Sequence, residues 1–302
     1  MSTYHIPVPL HESIFGLDIK ESGIYIDATL GGGGHSREIL SHLGEKGRLM
    51  VFDRDSDAIR NAPDDKRVIV VHNNFRYIHH FVRYYGFDGV DGILADLGVS
   101  SHQFDTSERG FSFRFDAPLD MRMNTQGRID ARRVVNEYDE DKLASLLKIY
   151  GEVDNSRKVA SLICSARSRS PINTTGELTE AIRKVLPPVA EHKFLAKIYQ
   201  ALRIEVNGEM ESLEHFLTGA EKSLKPGGRL SVITYHSLED RMVKNFIKTG
   251  TIDGNPKKDL YGKSMNNLKM VNKKPITPPE EEITQNTRAR SAKLRIGEKT
   301  DG

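Results

Sequence analysis

The stretch Ile24-Tyr-Ile-Asp-Ala-Thr-Leu-Gly-Gly-Gly-Gly-His-Ser-Arg37 most narrows what this chain can fold into. Ile24, Tyr25 and Ile26 are β-branched or aromatic and favour a strand. Four glycines interrupt the chain at positions 31 to 34, and Ser36 to Leu43 resumes with apolar residues at helical spacing. Strand, glycine turn and helix in that order open a doubly wound, nucleoside-binding sheet. Glycines let the backbone take φ > 0 and come close to a ligand, and the helix behind them presents its positive end. Four glycines are also what a plain flexible turn contains, so the weight falls on the residues beyond them.

Those residues form a series of short strands ending in acids. Arg48-Leu-Met-Val-Phe-Asp53 is a buried strand whose terminal acid lies 20 residues after Gly33, the interval at which such sheets place a carboxylate on the ribose hydroxyls. A short helix fits residues 55–62, a third strand Arg67 to Val71, a helix Ile78 to Tyr85, and a fourth strand Gly89 to Asp96. Asp27, Asp53 and Asp96 would then share the carboxyl edge of a parallel sheet and surround one crevice. Ahead of them, His5 to Glu12 is expected to be extended, since Pro7 and Pro9 exclude a helix start before Leu10.

From about residue 105 to 207 the alternation stops. Leu143, Leu146, Leu147 and Tyr150 share one helical face, as do Val159, Leu162, Ile163 and Ala166. Thr174-Thr-Gly-Glu177 reads as a capping box opening another helix, which Pro187-Pro188 ends, and Phe194 to Val206 continues helically. The pattern predicts an α/β domain formed by residues 1–104 and 208–302, carrying an all-helical insert over 105–207. After a helix over Glu209 to Leu224, Lys225-Pro-Gly-Gly228 is expected to turn tightly into a strand, Arg229 to Tyr235. Residues 249–286 are rich in Lys, Asn, Pro and Gly and predict a long mobile loop, and Ser291 to Ile296 a last strand returning to the sheet.

Charge is uneven along the chain. Residues 1–104 hold 10 Lys and Arg against 14 Asp and Glu, whereas residues 241–302 hold 14 against 7. A basic C-terminal segment suits a polyanion, because Lys and Arg contacts to phosphates release counterions; a solvated lysine-rich surface has the same composition. A single cysteine, Cys164, permits no internal disulfide and is expected to be a small buried hydrophobe in a reducing compartment. No 18-residue apolar run and no apolar leader core are present, so the expectation is a cytoplasmic protein without a membrane span. His72, His79 and His80 lack partners at metal-ligand spacing, and no metal site is expected. Composition is silent on oligomeric state.

The residues also discriminate among nucleoside cofactors. A dinucleotide fingerprint would require glycine at position 36 or 37, where Ser36 and Arg37 stand, and no Gly-x-x-x-x-Gly-Lys-Ser/Thr phosphate loop occurs. An acid at Asp27, just before the glycines, repels phosphate and suits a cation. S-adenosylmethionine, with a sulfonium, an amino group and a ribose, matches the acid, the glycine loop and the strand-end acid together. Methyl transfer is therefore the leading chemistry, set against a small-molecule methyltransferase or dehydrogenase and a non-enzymatic RNA-binding protein that keeps the fold.

Six longer motifs sharpen this: Asp27-Ala-Thr-Leu-Gly-Gly-Gly-Gly-His-Ser36, Asp96-Leu-Gly-Val-Ser-Ser101, Glu108-Arg-Gly-Phe-Ser-Phe113, Pro118-Leu-Asp-Met-Arg-Met123, Gln200-Ala-Leu-Arg-Ile-Glu-Val-Asn207 and Tyr235-His-Ser-Leu-Glu-Asp-Arg241. Together the chain resembles, from His5 to Ile296, the bacterial small-subunit rRNA (cytosine-N4)-methyltransferases, the RsmH or MraW family. The resemblance implies a Rossmann-like class I S-adenosylmethionine-dependent methyltransferase sheet with an inserted helical substrate-recognition domain. It implies methylation of the N4 amine of a cytidine in the decoding region of 16S rRNA in the small ribosomal subunit. It implies that Gly33, Gly34, His35, Asp53, Phe75, Asp96 and Gln103 hold the cofactor. Acceptors for the amine are expected from Asp96, Ser100 and Ser101, with His236 as a further catalytic candidate. RNA contacts are expected from Arg109, Arg114, Arg122 and Arg203. Many amino-methyltransferases have Asp/Asn-Pro-Pro-Tyr/Phe where this chain has Asp96-Leu-Gly-Val99, so the aromatic that stacks on the base is open among Phe111, Phe113, Tyr235 and His236, each of which also suits core packing.

Overall fold

The computed structural model of the chain describes residues 10–262 and 264–301. Of the segment expected to be extended, His5 to Glu12, residues 5–9 lie outside them and residues 10–12 are instead helical, in α1 (Leu10–Leu17), which begins where Pro9 ceases to forbid it. Then follow β1 (Ile24–Asp27), α2 (Gly34–Ser41), β2 (Arg48–Asp53), α3 (Ser56–Ile59), β3 (Val68–His72), α4 (Ile78–Tyr84) and β4 (Val90–Asp96). Next come six helices: α5 (Ser101–Asp105), α6 (Ala131–Glu137), α7 (Glu140–Gly151), α8 (Ser156–Arg167), α9 (Thr175–Ala181) and α10 (Glu191–Asn207). The chain closes with α11 (Glu209–Ser223), β5 (Leu224–Thr234), α12 (Ser237–Thr249), β6 (Leu268–Met270), α13 (Glu280–Gln285) and β7 (Lys293–Lys299). It divides into two compact units, one of residues 1–98 and 210–302 and one of 99–209.

The first unit is a Rossmann-like sheet of seven strands in the order β3-β2-β1-β4-β5-β7-β6. The first five are parallel, and β7 runs antiparallel to both β5 and β6. The chain builds outward from β1 through β2 to β3, then returns to β4 on the other side of β1. Ligands bind at such a switch point, outside the carboxyl ends of the strands. Alternation of side chains buries both faces. Tyr25, Leu49, Val51 and Leu94 pack with α1 and α2 residues such as Leu17 and Ile39. Ile26, Met50, Phe52 and Ile93 pack with Ile78, Phe216 and Val243 on the opposite face.

The second unit packs its helices around a separate apolar core that includes Leu143, Leu147, Val159, Ile163, Leu178 and Leu202. The capping box is present: Thr174 Oγ1 accepts the Glu177 N–H at 3.2 Å and Glu177 Oε2 accepts the Thr174 N–H at 3.1 Å. The helix it opens is shorter than expected, because α9 ends at Ala181 and a 3-10 turn over Arg183–Val185 completes it. Cys164 is half-buried against this core.

Two further expectations of the first unit fail. Lys225 to Gly228 does not stand apart as a turn before the strand; it lies within β5, where the pairing with β4 slips between Val90 and Gly92 and Gly227 takes φ 75°. A bulge absorbs the Pro-Gly-Gly inside a continuous edge of the strand. Residues 249–286 are not one long loop, since they contain β6 and α13. β6 carries few apolar residues because it is the end strand of the sheet, held by backbone pairing to β7 and by Leu268, its one buried side chain.

Candidate active site

The carboxyl ends of β1, β2 and β4 form the site. Beyond β1 the glycine loop is anchored residue by residue. Leu30 donates to the Phe52 carbonyl at 2.8 Å. The Gly31 N–H donates to Asp53 Oδ2 at 3.0 Å, and its carbonyl accepts from Asn61 Nδ2 at 2.7 Å. The Gly32 carbonyl accepts from Arg37 Nη1 at 2.8 Å. Gly33 takes φ 76°, and a Cβ there would lie 2.7 Å from the Asn61 carbonyl oxygen. That position therefore admits only glycine without strain. Gly33 is also the N-cap of α2 and supplies no side chain to it, so the first amides of the helix face outward uncapped.

Asp53 serves the loop as well as the strand end: Oδ1 accepts the Asp55 N–H at 2.9 Å while Oδ2 holds Gly31. Its side chain stays half-exposed, with lone pairs left for a ligand hydroxyl. Asp27 departs from the expectation of an acid open to a cationic ligand. It is fully buried and accepts from Ser36 Oγ at 2.6 Å and from the Thr29 N–H at 3.1 Å. Its work is to tie β1 to the start of α2. Burial pushes its carboxyl up to about 6, with the Asp53 charge adding to the rise.

Asp96, its side chain 23% exposed at the end of β4, is the most elaborated group. Its N–H donates to Thr29 Oγ1 at 2.6 Å, Oδ1 accepts the Tyr235 hydroxyl at 2.8 Å, and Oδ2 lies 3.9 Å from His35 Nδ1. Burial raises its carboxyl to about 7; the Tyr235 hydrogen bond opposes the rise and the charges of Asp27 and Glu239 add to it. Burial also lowers His35 to about 4, so the imidazole is neutral and the 3.9 Å approach is no ion pair. His35 Nε2 is buried without a hydrogen-bond partner.

Phe75 follows β3 in a 3-10 turn capped by Asn74, and its ring meets Phe216 edge-on at 5.1 Å. Half-buried against the core, it keeps only part of its surface for a ligand. His236, the further catalytic candidate, stands at the start of α12. It is the N-cap of α12, its Nδ1 accepting from the Glu239 N–H at 3.4 Å and its Nε2 lying 3.1 Å from Glu239 Oε1. The side chain is 8% exposed, and among the described residues its Nε2 makes no hydrogen bond.

Within the second unit, Ser100 and Gln103 form a capping box at the start of α5. Ser100 Oγ accepts the Gln103 N–H at 3.2 Å, and Gln103 Oε1 accepts the Ser100 N–H at 3.2 Å. Both side chains therefore carry a local structural duty that their motif does not reveal. Ser101, half-exposed, is the first residue of α5. Among the arginines, Arg122 is held bidentate by Asp120 at 2.8 and 2.7 Å, and Arg203 by Glu209 at 2.9 Å through each nitrogen. Arg109 donates to the carbonyls of Arg122 and Met123, whereas Arg114 is exposed. Phe111 is buried at 5% exposure, and Phe113 stacks on His192 at 5.8 Å.

A family model described as the MraW methylase family matches residues 2–300. The chain belongs to the MraW methylase family. A ribosomal RNA small subunit methyltransferase H from Bacteroides fragilis is 57% identical to it over 298 residues, covering 99% of this chain and 98% of the relative. Proteins with the same description from Phocaeicola vulgatus and Flavobacterium johnsoniae are 57% and 55% identical over 296 residues, each covering 98% of this chain and 97% and 98% of the relative.

In this MraW chain the residues that sequence reasoning missed are those that support the others. Thr29 and Asn61 fasten Asp96 and Gly31. Thr29 stands inside the first of the six motifs, so its hydroxyl is visible in the sequence; its partner is not. Tyr235, one of the four stacking candidates, instead points its hydroxyl at Asp96, a contact created by the neighbouring positions of β4 and β5.

Proposed function

We propose that this chain is an S-adenosyl-L-methionine-dependent methyltransferase that methylates the exocyclic N4 amine of a cytidine in the decoding region of 16S rRNA, acting on the small ribosomal subunit in the cytoplasm. Family membership and the names of the relatives support the rRNA substrate. The observation that carries the chemistry is Asp96, a desolvated acceptor at the switch point of the sheet, with Tyr235 on one oxygen and a neutral imidazole beside the other.

The residues present fit the cofactor on three counts: an uncapped helix start behind Gly33, a buried unpartnered Nε2 on His35, and a half-exposed Asp53. Backbone amides at Gly34 and His35 would face the methionine carboxylate, Asp53 the ribose hydroxyls, and Phe75 the adenine, with Gln103 assigned to the same end. When bound, the cofactor supplies an electrophilic methyl group on sulfur.

The amine of cytosine is a weak nucleophile because its lone pair is delocalised into the ring. Asp96 Oδ2 accepts a hydrogen bond from that amine and draws electron density onto nitrogen, while Oδ1 is pinned by Tyr235. A half-buried carboxylate needs little reorganisation to do this, which makes the contact stronger than it would be in water. As the nitrogen gains the methyl group it loses one proton, and an Asp96 poised near neutrality is able to take it. The target base must leave any stack to reach this acceptor. The helical unit serves as the substrate-recognition part, with exposed Arg114 as its leading RNA contact, while Arg109, Arg122 and Arg203, the other candidates, are held by hydrogen bonds within the unit.

Transfer of a radiolabelled methyl group to small ribosomal subunits, free rRNA and small metabolites tests the reading. Digestion of labelled RNA is expected to release N4-methylcytidine. Label found only in metabolites, or tight binding of NAD and none of S-adenosylmethionine, sinks it.

A further inference from the structure

On the face of the first unit that carries α4, tyrosines are exposed in a way that core packing does not explain. Tyr77, Tyr84 and Tyr85 are 45%, 78% and 40% exposed. Tyr77, the N-cap of α4, and His80 and Tyr84 within it fall at i, i+3 and i+7 and so lie on one side of the helix. Tyr77 meets His80 edge-on at 6.2 Å, and Tyr84 meets Phe81 at 6.4 Å and Tyr85 at 5.2 Å. The result is two groups of rings along α4, Tyr77 with His80 and Tyr84 with Phe81 and Tyr85, which together make an aromatic strip.

Cations border this strip. Arg83 and Lys222 are exposed, and among the described residues neither makes a salt bridge. Burial lowers His79 below the ordinary histidine value, and the charges of Lys222, Arg83 and His80 lower it further. These charges thus reach His79, whose ring lies 6.5 Å from that of His80 in the strip. Arg76 lies over the Tyr77 ring at 5.6 Å, but Glu211 takes up its charge at 2.7 Å. Asp88 is the exposed carboxylate closest along the chain.

We propose that this strip binds a single-stranded segment of RNA flanking the target nucleotide, its bases stacking on Tyr77 and Tyr84 and its phosphates meeting Arg83 and Lys222. This rests on the RNA-substrate reading and adds to it a contact surface outside the helical unit. Stacking platforms edged with cations are how proteins hold unpaired strands without reading sequence. A second copy of the chain fits less well, because a two-fold contact sets each patch against itself and would oppose like charges.

Fluorescence anisotropy with a labelled single-stranded oligoribonucleotide of about ten nucleotides tests the proposal. Tyr84→Ala is expected to weaken binding about fivefold or more, and Tyr84→Phe to restore it. Removing both Arg83 and Lys222 as alanines is expected to lower the slope of log affinity against log salt by about 1.4. S-adenosylmethionine affinity stays unchanged in all three. Unchanged RNA affinity in Tyr84→Ala, with the unsubstituted protein binding RNA, overturns this proposal alone. A protein that binds no RNA overturns the substrate reading as well. A dimer in sedimentation that Tyr84→Ala dissociates, with RNA affinity intact, assigns the strip to self-association and overturns it too.

Discussion

The hydroxyl of Tyr235 donates to Oδ1 of Asp96 at 2.8 Å, joining the ends of β5 and β4. The bond fixes one oxygen of the carboxylate, leaves the other to face the site, and holds down a pKa that burial drives upward. On the proposed reading Tyr235 is thus a positioning residue, acting on the reacting amine through Asp96.

Tyr235→Phe removes this donor and keeps the ring. The Asp96 pKa is then expected to rise beyond about 7, because the opposing hydrogen bond is gone. Only the ionised carboxylate accepts from the amine, so activity rises with pH through this pKa, and the acid limb of the kcat profile moves to higher pH by about one unit, equivalent to roughly 1.4 kcal/mol. An unmoved limb with lowered kcat would assign Tyr235 to packing alone.

Asp53→Ala is expected to weaken S-adenosylmethionine binding at least about tenfold, a loss of about 1.4 kcal/mol measurable by calorimetric titration. The substitution also releases the N–H groups of Gly31 and Asp55. Asp53→Asn separates the two duties, since an amide oxygen still accepts one of them. It is expected to recover part of the thermal midpoint and little of the affinity.

Gly33→Ala forces a side chain into φ 76° against the Asn61 carbonyl. A left-handed conformation costs an L-residue about 1 to 2 kcal/mol before any clash is counted. Urea unfolding is expected to show a loss of about 2 kcal/mol or more, with a parallel loss of cofactor affinity.

Asp27 makes a pH prediction of definite sign. Its carboxyl is raised by burial from 3.8 to about 6, so folding favours the protonated form. Its cost to stability is absent below the unfolded value, grows as pH rises through the folded one, and is then constant, reaching at most about 3 kcal/mol. Asp27→Asn carries no such cost. Relative to the unsubstituted protein it is therefore expected to gain stability between about pH 4 and pH 7 in urea titrations. A constant difference across that range would refute the assignment.

The strand, glycine turn and helix of the first unit were legible in the chain because each is a local matter: β-branched runs, glycines where φ must be positive, apolar residues at helical spacing. So were the acids ending β1, β2 and β4, because a parallel sheet brings carboxyl ends together whatever its details. β6 was illegible for the opposite reason. Its three residues have almost no apolar signal, and pairing with β7 alone makes them a strand. The Pro-Gly-Gly of β5 misled because a partner strand can absorb a bulge that local propensity reads as a turn.

The same division runs through the site. Sequence by itself determined which residues are present at the sheet's carboxyl edge, the family to which the chain belongs and the cofactor chemistry that the glycine loop and Asp53 suit. Only the tertiary structure decided what each side chain does there. It turned Asp27 inward onto Ser36, gave His236 to the start of α12, and set Tyr235 against Asp96. Burial and hydrogen-bond partners, not residue type, set a carboxylate's charge and reach, and those partners come from strands and helices far apart in the chain.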